Sequence, residues 1–577
     1  VATVVVRAGG FAVVASLAGI LFFLVGEILP LFREAQVRFA NAQALATDPR
    51  AGQGAGAMLV DPHRTHVATL ETDGVVRIHA LDRAGQAVAV PIPTAGARIL
   101  SVRGIPEENA FVAIGSDGRI LRVAVRWSVS FVGRERRVRA IVSDPQWVDL
   151  GVPGSSVTAY ALRADERRST AVGATAEGSL VLVRTEISSN DFTGERSEST
   201  RRLVLSAPSG VTHLAIDPAQ RHLYAAAAQG RIAWWPVDAA AGIDTPLTSD
   251  SGPDVTALDL LVGGRALVVG RADGSIAVWT LVRRGRAHRD LRPIHELESL
   301  PGAVVALAPA QRGRSFLAIG EKGEARLYHS TSERTLWRGA VPLASAVRDL
   351  VYAPKGDGAY VLFPTSLLPI EIDNPHPEAG LGAYFGKVWY EGAAQPEHVW
   401  QSTGGSDEFE PKLGLVPLVF GTLKGTAYAL VFAIPLGILG AIYTSQFLDP
   451  RYQRVVKPTV ELMASLPSVV LGFVAGLWLA PRLEDAFPGL VLALIVLAPA
   501  MVGSGWLWSI LPRHVHKRFA AGSEVIFQAG FLLAVLWLCL ELSDPLEQWL
   551  FGQSFSGWLY TQTGLGYDQR NAIVAGI

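Results

Sequence analysis

KPTVELMASLPSVVLGF, residues 457–473, sets one carboxylate, Glu461, and a Pro-Ser pair, Pro467 and Ser468, at the head of an unbroken apolar stretch. From Leu462 to Pro481 there is no charge, and a run of about 20 such residues is long enough to cross a bilayer. A carboxylate and a helix breaker are costly in lipid unless they face protein or a water-filled path. The stretch therefore predicts a membrane helix that lines something. The plainer alternative is a kinked packing helix with Glu461 among the headgroups.

Working outward, four further uncharged runs have membrane character: 8–26, 425–448, 486–512 and the shorter 525–540, with another starting at Asn571. Charge in the short loops alternates. One loop carries Arg451, Arg454 and Lys457, and the next has Arg482 against Glu484 and Asp485. A third has Arg513, Lys517 and Arg518, and 541–569 holds no Lys or Arg. Basic loops stay cytoplasmic, so the large polar block between the first and second runs is expected outside. The 577 residues exceed one core. The balance of 51 basic against 52 acidic residues, net −1, excludes the basic footprint of a nucleic-acid binder. Cys539 is the only cysteine, so no intrachain disulfide forms. The chain opens on Val1 and closes within the apolar NAIVAGI, from which longer natural ends are expected.

The polar block repeats. Apolar strand, glycine turn and second strand recur as HVATLETDGVVRIHAL, FVAIGSDGRILRVAV, AVGATAEGSLVLVRT, LYAAAAQGRIAWWPV, ALVVGRADGSIAVWTL and FLAIGEKGEARLYHS. The turn glycines are Gly74, Gly118, Gly178, Gly230, Gly274 and Gly323, spaced by 44 to 60 residues. A seventh copy, YVLFPTSLLPIEI, turns near Ser366. Asp73-Gly74, Asp117-Gly118 and Asp273-Gly274 predict type I′ turns. Short strands such as ARILSVRG, VTALDLL and VRDLVYAP precede the hairpins. Four strands per unit and seven units predict a seven-bladed propeller resembling the WD40 class, with residues before Met58 closing the ring. An irregular pair of β-sandwiches explains the period less well.

The block offers no catalytic set. Its histidines (His63, His66, His79, His213, His222, His288, His295, His329) lack metal-ligand spacing, and Trp234, Trp235 and Trp279 read as packing residues. GLGAYFGKV, 380–388, fails as a phosphate loop because Leu381 and Val388 stand where glycine and a hydroxyl are needed. His514 and His516 read as part of a solvated turn.

The two blocks LVPLVFGTLKGTAYALVFAIPLGILGAIYTSQFLDP and VVKPTVELMASLPSVVLGF together resemble the permease subunits of the phosphate-specific ABC importer, most closely the C-type subunit (PstC). Pro417, Gly421, Thr422, Leu423 and Thr426 match the entry motif, and Ile434, Pro435 and Gly437 the middle one. Glu461, Leu462, Met463, Ala464, Pro467, Ser468, Val469, Val470 and Gly472 match the last. About 90 residues carry the likeness. The chain departs from the family in the inserted propeller and in Leu471, where the family has tyrosine. Either 491–502 or the terminal NAIVAGI resembles the family's next helix; in the second case 487–540 is an inserted pair. The loop that docks such permeases on their ATPase is not found before Ile577.

The resemblance implies a multi-domain membrane protein: an all-α permease domain of ABC importer type I plus an all-β seven-bladed propeller. The expected boundaries are a first transmembrane helix at 1–34, the propeller at 35–375, a linker at 376–412 and the permease domain at 413–577. It implies a non-enzymatic transport subunit for inorganic phosphate in the bacterial inner membrane, with the propeller periplasmic. Its partners would be a sister permease, two ATPase subunits, a periplasmic phosphate-binding protein and the lipid bilayer, with no nucleic acid and no cofactor of its own. Candidate residues of the path or gate are Glu461, Pro467, Ser468, Gly472, Pro435, Thr422 and Thr426; no catalytic or metal-ligating residue is expected. Small residues at Gly437, Gly440, Ala464 and Gly472 would permit close helix contact. Glu461 would pair with a base from elsewhere, since a carboxylate repels an anion. The alternatives are a permease for another oxyanion, such as molybdate or sulfate, and a tethered propeller acting as scaffold or sensor.

Overall fold

A computed structural model describes residues 2–45, 56–81, 87–94, 96–189, 196–237, 246–284, 288–342, 345–406, 408–510, 523–552 and 554–563. The chain divides into two compact units, Val1–Val416 and Pro417–Ile577.

The first unit opens with an apolar helix, Ala2–Ile28, and a 3-10 turn, Leu29–Phe32. Seven antiparallel sheets follow. Their innermost strands are, in order, Ala57–Val60, Ile99–Ile105, Val157–Ala164, Val211–Ile216, Val255–Leu260, Val304–Pro309 and Asp349–Tyr352. We number the blades 1 to 7 in that order. Each blade runs outward from its inner strand through consecutive hairpins, and six are completed by their own fourth strand. Blade 7 lacks one and borrows Gln36–Phe39, which pairs antiparallel with the third strand: Gln36 faces Asp373, Val37 faces Ile372 and Phe39 faces Ile370. Residues before Met58 thus close the ring, as the repeat predicted. The small and β-branched residues of each second strand are buried on both faces, for example Ser315–Gly320, because blades stack face to face. Trp234, Trp235 and Trp279 are 8%, 0% and 3% exposed and fill the space around blade 4, on its two sides. A large apolar side chain so buried contributes about 1.5–3 kcal/mol.

The Asp-Gly hairpins form a different turn from the one expected. Gly74, Gly118 and Gly274 have φ of 76°, 80° and 85°, but the preceding aspartates keep negative φ. A type I′ turn needs both positive. Here Gly74 donates its N–H to Glu71 O at 3.1 Å, and Asp73 Oδ1 accepts from Val75 N at 3.0 Å. Asp117 and Asp273 repeat this with Arg119 N and Ser275 N. The carboxylate rewards an ordinary turn one residue earlier, and glycine takes the single left-handed position as a bulge. Of the six glycine turns only Gln229–Gly230, which has no aspartate, is left-handed at both positions, with φ of 62° and 65°.

Residues 376–412, expected as a linker, fold onto blades 5 and 6 as a strap. Ala379, Ala383, Val388 and Tyr390 are buried, and Val388 bridges Glu397 before Trp400–Gln401 pairs with Lys412–Leu413. The clamp is ionic. Arg314, between the first two strands of blade 6, is 2% exposed and meets Glu391 at 3.0 Å, with side chains 3% and 5% exposed. The same guanidinium donates to Glu408 O at 2.9 Å and to Val262 O. Glu410 accepts from Thr331 Oγ1 at 2.6 Å and from Glu391 N at 2.9 Å. A buried charge stripped of its partners costs several kcal/mol, so this constellation holds only while the strap is seated. Val388 and Tyr390, buried within the segment, keep it against the blades.

Two outcomes test this fold. Gly118 has positive φ, and a Cβ there would strike Val152 O, whereas Gly313 has positive φ but open space around it. Gly313→Ala is expected to cost about 1 kcal/mol through backbone strain alone, and Gly118→Ala about 2 kcal/mol or more, compared by thermal melting. Burial, then the nearness of Glu410, pushes the Glu391 carboxyl above its ordinary value of 4.5, outweighing the pull of Arg314. A raised folded pKa favours the folded state at low pH, and that contribution is lost as the pH rises above 4.5. The protection of strap amides, relative to their intrinsic base-catalysed exchange rate, should therefore fall from about pH 5 to about pH 9 in the native chain. Glu391→Gln should flatten that dependence.

Candidate functional site

The second unit begins within a long helix, Val416–Ile442, that continues as a wide turn to Phe447. Pro417 sits in its first turn, where a missing N–H costs nothing. Thr422 returns its hydroxyl to Leu418 O at 2.8 Å, and Thr444 does the same to Gly440 O at 2.7 Å. Thr422 and Thr426 are four residues apart and share one helix face. Pro435 lies further along the same helix without ending it.

The expected continuous span 462–481 is instead broken. Asp449 caps the helix Pro450–Ala464, its Oδ1 accepting from Arg451 N at 2.8 Å. The helix ends at Ser465, and a new one starts at Ser468, the two arms meeting at 86°. Pro467 is the cause. It has no N–H to continue the ladder and steers the preceding residue away from helical ψ. Its own φ and ψ are −59° and 117°, and its carbonyl accepts from Val470 N at 3.0 Å to nucleate the second arm.

The structure brings Glu461, Pro467 and Ser468 to this elbow: Glu461 in the last turn of the first arm, Pro467 as cap and Ser468 as first residue of the second. Gly472 lies one turn on, with open space where a Cβ would project. Thr422, Thr426 and Pro435 belong to the separate helix, and among the described residues no hydrogen bond or ion pair joins the two groups. No described cation pairs with Glu461. All seven stand among residues exposed in the isolated chain.

The remaining helices form a hairpin. Phe487–Ile510 and Ser523–Glu541 lie antiparallel, Gly489 near Cys539 at one end and Trp508 against Phe527 at the other. Gly489 N donates to Ser543 Oγ at 3.2 Å, and a Cβ at Gly489 would fall 2.5 Å from Cys539 O. Glycine is what permits this approach. The loop with Arg513, His514, His516, Lys517 and Arg518 and the terminal NAIVAGI lie outside the described residues. Among the described residues, three helices suffice by length and hydropathy to cross a membrane, Arg7–Phe32, Val416–Phe447 and Phe487–Ile510, or five if each bent pair counts as one span.

In the propeller the described residues hold no His, Cys, Asp and Glu cluster suited to a metal. Sequence reading missed the charges on the inner strands. Asp349 of blade 7 accepts from Met58 N of blade 1 at 2.8 Å and from Leu350 N at 2.9 Å. Arg163 of blade 3 meets Glu107 at 2.8 Å and donates to Ile216 O of blade 4 at 3.2 Å. Arg103 of blade 2 donates to Leu214 O at 3.1 Å. Burial pushes Asp259 and Asp349 up to about 6 and His213 down to about 4. Asp349 and Arg163 bridge neighbouring blades, Arg103 reaches past blade 3 to blade 4, and the inner strands line two cavities, of about 100 Å³ and about 630 Å³. The signal was present as a charge within each short strand: Arg103 in SVRG, Asp259 in TALDL, and Asp349 beside Arg348 in VRDL.

No family model matches the chain. It is similar over part of its length to transport proteins. It is 38% identical over 72 residues to the probable ABC transporter permease protein YqgH of Bacillus subtilis, 12% of this chain and 23% of that one. The phosphate transport system permease protein PstC of Mycobacterium leprae is 30% identical over 134 residues, 23% of this chain and 38% of that one. PstA 1 of Mycobacterium tuberculosis is 33% identical over 95 residues, 16% and 31%. The chain thus spans less than half the length of these curated relatives, and the likeness extends to the A-type as well as the C-type phosphate permease. What the chain carries is partial similarity to ABC transporter permeases, phosphate permeases among them, joined to a seven-bladed propeller.

Proposed function

We propose that this chain is a membrane-spanning permease subunit of an ABC importer for inorganic phosphate. The observation that carries the reading is the Glu461–Pro467–Ser468 elbow within apolar sequence, in a chain whose partial relatives are phosphate permeases. An elbow leaves first-turn N–H groups without helical partners, and lipid cannot satisfy them. A position against a second permease or a water-filled path would do so. In this reading Glu461 pairs with a base of a sister subunit and stiffens the elbow. Gly472 admits a close neighbour, and Thr422 and Thr426 offer hydroxyls on a facing helix. Pro435 supplies a hinge of the same kind as Pro467.

The domain limits follow: 1–34 as first span, 35–375 as propeller, 376–412 as strap and 413–577 as permease portion. Two separate ATPase subunits would drive transport, and a periplasmic binding protein would deliver the anion. The alternation of basic loops puts the propeller on the periplasmic side of the inner membrane.

The direct experiment is phosphate uptake by vesicles holding the complete transporter. Glu461→Gln and Pro467→Ala should each lower the initial rate about ten-fold or more, the order expected when a preorganised geometry is lost, without loss of membrane insertion. Unchanged uptake for Glu461→Gln removes that residue from the mechanism. Competition by molybdate or sulfate stronger than by unlabelled phosphate assigns another oxyanion.

A further inference from the structure

The third and fourth strands of blade 2 extend beyond the blade as a hairpin, Arg119–Val132 with Glu135–Val142. Its base is anchored: Trp127 and Ala140 face one another and pack against the core between blades 1 and 2. Beyond Trp127 the hairpin stands out from the blade, touching blade 1 through Arg136 and His63. Phe131 is 66% and Val132 53% exposed. From Arg126 to Arg139 the sequence has five arginines and one acid, Glu135. Among the described side chains no carboxylate pairs with Arg134, Arg136, Arg137 or Arg139. The register separates two faces. Val129, Val138 and Phe131 with Arg136 form one, and Ser128, Ser130, Val132, Glu135, Arg137 and Arg139 the other, Phe131 and Val132 meeting at the tip. The hairpin is amphipathic, unpartnered and cationic.

A second observation lies beside it. Arg136 Nη1 and Lys355 Nζ approach the same atom, His63 Nδ1, at 3.1 and 3.2 Å. A ring nitrogen offers one lone pair at most, so two cations converge where a single acceptor stands. Next to it Arg64 meets Asp357 at 3.8 Å, and both line a depression with Gln36. Gln36 begins the closing strand, and Ala35 before it is buried in the core of blades 6 and 7. The apolar helix ends at Ile28. Six residues separate its end from the anchored Ala35, seven steps with a reach of about 25 Å at full extension and less with a 3-10 turn in between. The hairpin's five residues past Trp127 extend about 17 Å. Tether, cation pair and hairpin tip therefore lie on one face of the propeller, joined there through His63, Arg64 and Gln36.

We infer that this face docks on a bilayer, the hairpin laying Arg134, Arg136, Arg137 and Arg139 against anionic lipid headgroups with Phe131 and Val132 at the acyl boundary. Unanswered positive charge, an exposed aromatic tip and continuity with a membrane tether together select an anionic lipid surface as the occupant. The inference rests on the helix Ala2–Ile28 being in a membrane, and is independent of transport.

The test uses the full chain, Cys539→Ala with Ser130→Cys, spin-labelled at the new thiol and incorporated into lipid nanodiscs. Incorporation is read first; its failure overturns the membrane placement and this inference together. In discs containing phosphatidylglycerol the label should be shielded from a water-soluble relaxation agent and relaxed by lipid-borne nickel, relative to purely zwitterionic discs. Each arginine reversed should weaken that contact about five-fold or more, so Arg136→Glu with Arg137→Glu should abolish it. Phe131→Ser, which leaves the charge intact, should reduce depth but keep the lipid dependence. Equal exposure in both discs overturns the proposal. So does shielding unaffected by charge reversal, or shielding only when an acidic protein is added.

Discussion

The propeller depends on one strand pairing, that of Gln36–Phe39 with Ile370–Asp373. Without it blade 7 exposes its third strand as an open edge, and a ring of blades has no way to close. The pairing also fixes geometry. It requires the chain to enter the ring at the outer strand of blade 7, where that strand meets the end of the third at Asp373. The N-terminal helix is thereby tied, through a few residues, to the face that also carries the first-to-second-strand loops with His63, Arg64 and Lys355. A single ladder thus joins the first helix and a propeller face that would otherwise be independent.

Charge is used in three distinct ways within this unit. On the inner strands, Asp349 and Arg163 spend their polarity on backbone groups of the adjacent blade. Under the strap, Arg314 meets the Glu391 carboxylate and two carbonyls. Burial and the neighbouring Glu410 favour a proton on Glu391 despite the nearby arginines. On the blade 2 hairpin, charge is left unanswered. Physical chemistry treats these differently: the first two tie blade to blade and strap to blade, whereas the third leaves room for a counter-charge.

The propeller was largely legible because its signals are local. Glycine at Gly74, Gly118, Gly178, Gly230, Gly274 and Gly323 marks a left-handed residue in most copies, and the alternating spacing set the blade count. The turn type was not legible, since Asp-Gly fits a left-handed pair as well as an ordinary turn followed by a bulge. Only the bond from Val75 N to Asp73 decides between them. The strap was misread as a linker because its stabilising partners, Arg314 and Thr331, lie in blade 6, tens of residues away in sequence. Of the candidate path residues, the grouping of Glu461, Pro467 and Ser468 follows from their proximity in the chain. Whether Thr422 and Thr426 face them depends on helix packing, on which a one-dimensional pattern is silent.

The elbow at Pro467 shows why hydropathy and structure part company in this chain. The run from Leu462 to Pro481 scores as a span because transfer of side chains is additive and ignores order. Backbone groups are not additive: each depends on the residue four positions away. Pro467 removes one donor and redirects the chain, so the second arm starts with orphan N–H groups that apolar side chains at Val469 and Val470 cannot serve. A hydrocarbon environment charges several kcal/mol for such groups. The elbow is compatible with a membrane only where protein or water reaches its inner side. The same composition that makes the segment insert therefore makes its bend dependent on a polar or proteinaceous neighbour, and a lone carboxylate one turn earlier, at Glu461, has the same requirement.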